Sequence, residues 1–215
     1  MSEDTFTPAL GRLAPARFFD YVVALTRERL WRGLTVMHLA PRPDDTILDV
    51  GCGTGSLALL AARVEPQATI LGLDPDPEIL TVAREKDADG RVRWLTGMGD
   101  DLVASVGAES MDGVTSSLVL HQCPMDVKRA ILASMFAVLR PGGRLVIADF
   151  GLQRTRLMRL AFRFVQFADG KTDTQPNADG VLPELISAAG FTDVREADVV
   201  ATINGTISIY TARKR

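Results

Sequence analysis

Thr46-Ile47-Leu48-Asp49-Val50-Gly51-Cys52-Gly53-Thr54-Gly55-Ser56-Leu57-Ala58-Leu59-Leu60 decides the fold of this 215-residue chain. A short apolar run ends around an acid, glycines follow at alternate positions, and an apolar helical pattern begins at Ser56. That order predicts a strand, a tight turn and a helix N-terminus. Glycines suit such a turn because they reach positive φ and let a ligand approach the backbone closely. The first helical turn then offers unpaired N–H groups and the positive end of the helix dipole, so a nucleotide-like ligand is the first expectation.

The spacing narrows the ligand. A dinucleotide fingerprint G-x-G-x-x-G beginning at Gly51 needs its third glycine at position 56, where Ser56 stands. The string is instead D-x-G-x-G-x-G, which resembles motif I of class I S-adenosylmethionine (SAM)-dependent methyltransferases. The resemblance implies that Asp49 and the backbone of Gly51, Cys52, Gly53 and Gly55 hold the methionine portion of SAM.

A second strand, Ala68 to Leu73, ends at Asp74 and Pro75. An acid at the tip of a second strand, roughly 20 residues past the glycines, is placed to accept hydrogen bonds from both ribose hydroxyls. Standing alone, Asp74 also suits the N-cap of a helix over Pro75–Glu85. The run Leu71-Gly72-Leu73-Asp74 resembles the methyltransferase segment that carries the ribose-binding acid. A third strand, Arg91 to Leu95, leads to Gly97-Met98-Gly99-Asp100. Many relatives read G-D-A here, with the acid bonding adenine. Met98 stands in its place, leaving the thioether to cover the ring and the Gly99 N–H to reach it. Asp100 is the alternative donor of that acid.

The fourth strand, Gly113 to Leu120, is followed by His121-Gln122-Cys123-Pro124. With Met111-Asp112 it resembles the F-D-x-V-x-S-S-L-x-L-H-H segment of small-molecule methyltransferases related to the ubiquinone/menaquinone C-methyltransferases. Met111 replaces the usual Phe and Gln122 a common second His. The resemblance sets Ser117 and Leu118 beside the transferring methyl and makes His121 a candidate general base, its ordinary pKa suiting proton removal at neutral pH. A role bonding a neighbouring loop is equally open to His121. The Asn/Asp-Pro-Pro-Tyr tetrad of nucleobase methyltransferases is absent, which argues against a nucleic-acid substrate.

A helix over Asp126–Leu139 leads through Arg140-Pro141-Gly142-Gly143 into a fifth strand, Arg144–Phe150, after which Asp149 or Phe150 could border the substrate mouth. Residues 151–176 follow, with Arg156, Arg159 and Arg163 on one helical face and Leu157, Met158, Leu160, Phe162, Phe164, Val165 and Phe167 on a wide apolar one. Three readings stand for it: a lid over an apolar substrate, core or dimer packing, or an amphipathic helix on an anionic membrane. A helix over Asp179–Ala189, capped by Gly190, precedes two strands around Asn204-Gly205, a two-residue hairpin signal. Upstream, Ala16 to about Leu39 reads as an amphipathic helix with Gly33 a candidate break, after an irregular arm over residues 1–15. Trp31, Arg32 or Arg29 could reach the methionine carboxylate, or simply cover the sheet.

Composition bounds the rest. A formal charge of −3 gives no global pull towards nucleic acid. Two cysteines form neither a disulfide framework nor a metal-ligand cluster, so no metal is expected. The acidic N-terminus and the lack of a membrane-length apolar run point to a cytoplasmic protein. The expected architecture is a doubly wound α/β, Rossmann-like sheet in the order 3-2-1-4-5-7-6 with strand 7 antiparallel. An N-terminal helical cap over residues 1–44 precedes the methyltransferase domain at 45–215, with a helical lid inserted at about 151–176. The implied activity is in-line transfer of the SAM methyl to a small-molecule acceptor, leaving S-adenosylhomocysteine (SAH). A non-catalytic SAM-binding regulator and a nicotinamide-dependent oxidoreductase are the alternatives. Oligomeric state and acceptor atom leave no mark in the sequence.

Overall fold

The structure is a computed structural model, and it describes residues 27–215. The arm over residues 1–15 and the first part of the helix from Ala16 lie outside the described residues. From there on the expected sheet forms, seven strands in the order β3-β2-β1-β4-β5-β7-β6. These strands are β1 (Thr46–Val50), β2 (Thr69–Asp74), β3 (Val92–Thr96), β4 (Met111–Ser117), β5 (Leu139–Phe150), β6 (Thr192–Thr202) and β7 (Gly205–Arg213). The first five are parallel, and β7 runs antiparallel to both its neighbours.

The period-two alternation of strand side chains sorts residues onto two faces. Ile47 belongs to the cluster shared with α1 (Glu28–Leu39) and α2 (Ser56–Val64), whereas Leu48 and Val50 join the cluster of α5 (Met125–Val138) and α8 (Leu182–Ala188). On β5, Val146, Ala148 and Phe150 take the first face and Leu145 and Ile147 the second. The same alternation puts Asp49 under α1 and α2, and Asp149 on the opposite side. α3 (Pro77–Lys86), α4 (Leu102–Val106), α6 (Arg156–Asp169) and α7 (Lys171–Ala178) complete the helices among the described residues.

Several local expectations change. α1 runs unbroken through Gly33, which faces open space on the exposed side. Its C-terminus is fastened to β5 by Arg144, which donates to the Leu39 and Ala40 carbonyls and pairs with Asp45. β4 stops at Ser117 and not at Leu120, because Leu118 takes a left-handed φ of 55° and the chain enters a 3₁₀ turn over Leu120–Gln122. The helix read over Asp179–Ala189 shortens to α8 because α7 occupies the residues before it; the Gly190 N–H then bonds the Ser187 carbonyl, as a C-terminal cap should. In the hairpin, Thr202 pairs with Gly205, so the turn residues are Ile203 and Asn204 and not Asn204-Gly205. The Thr202 hydroxyl fixes that turn by donating to the Gly205 carbonyl and accepting from the Asn204 N–H.

Candidate functional site

A cavity opens at the carboxyl ends of β1, β2 and β4, the place where doubly wound sheets bind ligands. The turn after β1 forms its floor. The Leu73 carbonyl accepts from the N–H groups of Gly51 (2.8 Å) and Cys52 (3.0 Å), so the glycine turn is stitched to β2. Gly51 has φ 69°, and a Cβ there would lie 2.3 Å from Cγ2 of Val119. Gly55 (φ 79°) is needed for a different reason: its missing Cβ makes room for Trp94, not for a ligand.

Asp74 is buried at the tip of β2, and its carboxylate already accepts two backbone N–H groups, Gly53 to Oδ2 (2.9 Å) and Asp76 to Oδ1 (3.0 Å). Burial nonetheless raises its pKa above the ordinary carboxylate value, the two N–H groups opposing that shift. The N-cap of α3 is Asp76, whose Oδ1 accepts from Glu78 (2.8 Å) and Ile79 (3.4 Å). Asp74 is therefore released from the capping role and lines the cavity together with Pro75.

The cavity wall brings together Gly51, Cys52, Gly53, Asp74, Pro75, Met98, Gly99, Ser117 and Leu118. Of the α1 candidates Trp31 and Arg32 reach it, while Arg29 is exposed and does not. Asp100 is exposed and absent from the wall, which Met98 and Gly99 line. Both cysteines, 52 and 123, line the cavity, and burial pushes both thiols up, Cys123 to about 11. Neither is a thiolate at neutral pH.

Asp49, Gly55 and His121 are not on the wall. The Asp49 side chain is sealed behind the turn with no hydrogen-bond partner on either oxygen. Burial raises its pKa to about 7, with Arg32 and the Ala58 N–H working against that shift and Asp74 with it.

His121 is 5% exposed and clasped between two carboxylates, Nδ1 at 2.8 Å from Asp149 and Nε2 at 3.4 Å from Asp169 on α6. Burial alone would lower its pKa, but Asp149 and Asp169 overcome that and hold it at about 9. A ring protonated at neutral pH with both nitrogens engaged cannot take a proton from a substrate. Asp149, likewise off the wall, accepts from the N–H groups of Val119, Leu120 and His121 at Oδ2 and from Phe150 at Oδ1. This acid shapes the turn after β4 and explains why that strand ends early. Lys128, fully buried on α5, donates to the carbonyls of Cys123 (2.5 Å) and Asp173 (2.7 Å) and so ties α7 to the same turn.

Sequence reading puts Ile131 on the apolar face of its helix but gives neither it nor Val127, one helical turn before it on α5, nor Val119 a place at the cavity, whose apolar side they complete. Their i, i+4 spacing was visible, but the face it turns to the cavity depends on where α5 docks. No residue of 151–176 lines the cavity.

Residues 47–143 match the model of the methyltransferase domain family. The ubiquinone/menaquinone biosynthesis C-methyltransferase of Geotalea daltonii is 30% identical over 152 residues, 68% of this chain and 63% of the relative. The demethylmenaquinone methyltransferase of Symbiobacterium thermophilum is 29% identical over 212 residues, 86% of this chain and 82% of the relative. The chain thus spans less than two thirds of the length of the first of these relatives. Among solved structures, magnesium protoporphyrin IX methyltransferase from Synechocystis, with bound SAH, superposes with a TM-score of 0.68 at 16% identity, covering 96% of this chain and 91% of that one. At that identity the likeness speaks for the fold alone.

Proposed function

Since the chain belongs by sequence and fold to the class I SAM-dependent methyltransferases and resembles the ubiquinone/menaquinone C-methyltransferase group, we propose that it transfers a methyl group from SAM to a small-molecule acceptor. When bound, SAM supplies a methyl group activated by the sulfonium. The residues present fit such a ligand. Asp74 keeps a free lone pair on each oxygen for a vicinal diol. Ile79, Met98 and Leu73 offer an apolar slot for a base, with the Gly99 N–H beside it. Arg32 and Trp31 close the end where an amino-acid carboxylate would lie. Asp49, an orphaned carboxylate close behind the turn, favours a cationic group in front of it once ionised.

Ser117 and Leu118 border the transfer path, and Val119, Cys123, Val127 and Ile131 exclude water from the acceptor's side. The wall among the described residues carries no His, Lys or Tyr. The acceptor in this reading arrives with its own nucleophile ionised or already electron-rich, and the protein's work is alignment. His121 acts as a cationic clasp under the wall and not as the base.

Asp74 carries the reading: a buried strand-tip carboxylate bonded to the glycine turn and facing the cavity. The test is calorimetric titration with SAH, with NADH as comparator and Asp74→Ala as control, its folding verified by thermal melting. We expect SAH binding in the micromolar range and at least about a tenfold loss in the variant, the cost of two charge-assisted bonds. A preference for NADH would return the oxidoreductase. SAH binding without turnover on any phenolic, thiol or quinol acceptor would favour the non-catalytic regulator.

A further inference from the structure

α6 shows three stripes and only one of them is buried. Phe162 and Val165 pack into the core beside Phe150, Ile207 and Ile209, and Asp169 turns in on His121. Arg156, Arg159 and Arg163 form a second stripe. Leu157, Leu160, Phe164 and Phe167 form the third at spacings of three and four residues, and they are 76%, 61%, 59% and 86% exposed. At about 100° per residue the third stripe covers an arc of roughly 80° directly beside the arginines. Four large apolar side chains in line on a capped helix form a continuous exposed stripe, the kind of feature that marks a contact with a partner or a membrane. None of the four lines the cavity.

Charge says what covers them. The chain as a whole is negative, at −3, yet residues 151–168 hold Arg154, Arg156, Arg159 and Arg163 and no acid. Arg154 pairs with Glu196, and Arg159 reaches Asp179 at 3.4 Å. Arg156 and Arg163 are exposed with no ion pair among the described residues. A second copy would bring two such arginine rows together without an acid on either stripe to meet them.

We propose that α6 seats the protein on an anionic phospholipid surface, its Leu/Phe stripe in the acyl boundary and Arg156 and Arg163 on the lipid phosphates. No helix among the described residues is long and apolar enough to cross a membrane, so the contact is peripheral. The proposal does not depend on methyl transfer, because the stripe and the cavity are separate surfaces.

The test is vesicle flotation of the full chain, with equal parts phosphatidylglycerol and phosphatidylcholine against phosphatidylcholine alone. The chain floats with the anionic vesicles only, and added salt weakens the binding. Combining Phe164→Ser with Phe167→Ser lowers the binding constant by more than about tenfold. Combining Arg156→Gln with Arg163→Gln lowers it by roughly twentyfold. Melting temperature and SAH affinity stay unchanged in both variants. No flotation with anionic vesicles, or flotation indifferent to both variants, overturns the proposal. So does a dimer in sedimentation velocity that the serine variant dissociates, or vesicle binding that appears only after residues 1–26 are removed, since each names another occupant of the stripe.

Discussion

Asp49 and Asp149 are each the penultimate residue of a central strand, and each is 1% exposed. They face opposite sides of the sheet. Asp149 meets four backbone N–H groups and an imidazolium. Neither oxygen of Asp49 has a comparable partner, and burial raises its pKa to about 7 against the weaker opposing pull of Arg32 and the Ala58 N–H. Burial is the same; satisfaction differs. A saturated buried carboxylate belongs to the scaffold, whereas an orphaned one beside a cavity marks where the fold tolerates a cost that a bound cation could relieve.

That contrast can be broken most forcefully at Asp149. Asp149→Ala strands the N–H groups of the turn after β4 and leaves a buried imidazolium with one distant partner, so chemical denaturation should show a loss of about 3–5 kcal/mol. Asp49→Ala should cost far less. If the two variants melt alike, satisfaction is not what separates these acids.

The pH dependence of stability sharpens the same point. His121 has its folded pKa raised from the ordinary 6.5 to about 9 by Asp149 from β5 and Asp169 from α6, against the opposing pull of burial. The stabilisation is complete below the unfolded value and disappears as pH rises through the folded one. Unfolding free energy should therefore fall by up to about 3 kcal/mol between roughly pH 6.5 and 9, and His121→Gln should flatten that slope. An unchanged slope in the variant would mean that another group titrates there.

The smallest effect belongs to Asp49→Asn. With its pKa at about 7, Asp49 in the ligand-free protein is neutral in mild acid, and its burial costs more as pH rises towards 7. A ligand carrying an ammonium group favours the ionised form, so SAH affinity should rise by up to tenfold as pH climbs towards about 7 and level off above it. The Asn variant should bind roughly tenfold more weakly just above pH 7, show no such rise, and be slightly more stable without ligand. Titrations that leave affinity and pH profile unaltered would make Asp49 a scaffold acid after all.

The sheet was legible because period-two and helical patterns, the glycine spacing and the hairpin signal all record local backbone demands. The cavity's glycine side was legible for the same reason, since Thr46 to Asp74 is a local strand-turn-helix-strand unit. For His121 a base and a loop-bonding role stood equally open, because its neighbours, Asp149 and Asp169, lie 28 and 48 positions along the chain and only folding shows that they clasp both ring nitrogens. α6 was misread in one respect. Its apolar residues looked like a single wide face, yet that arc holds a buried stripe and an exposed one, and periodicity counts apolar positions without saying what meets them. Asp74 shows the reverse case: the alternative of a helix cap was reasonable, but Pro77 sets the first helical turn two residues later and gives the cap to Asp76.

In the proposed reading, where Asp74 holds a ribose, the two N–H groups it accepts from its own chain have a consequence for discrimination between ligands. The glycine turn and the tip of β2 are locked together before any ligand arrives, so recognition need not wait for the loop to find its shape. A nucleoside that lacks one ribose hydroxyl meets the same rigid mould as one that has both. It is turned away only by the weaker grip of a single missing bond, and its slower or faster departure, rather than its entry, is where selectivity resides.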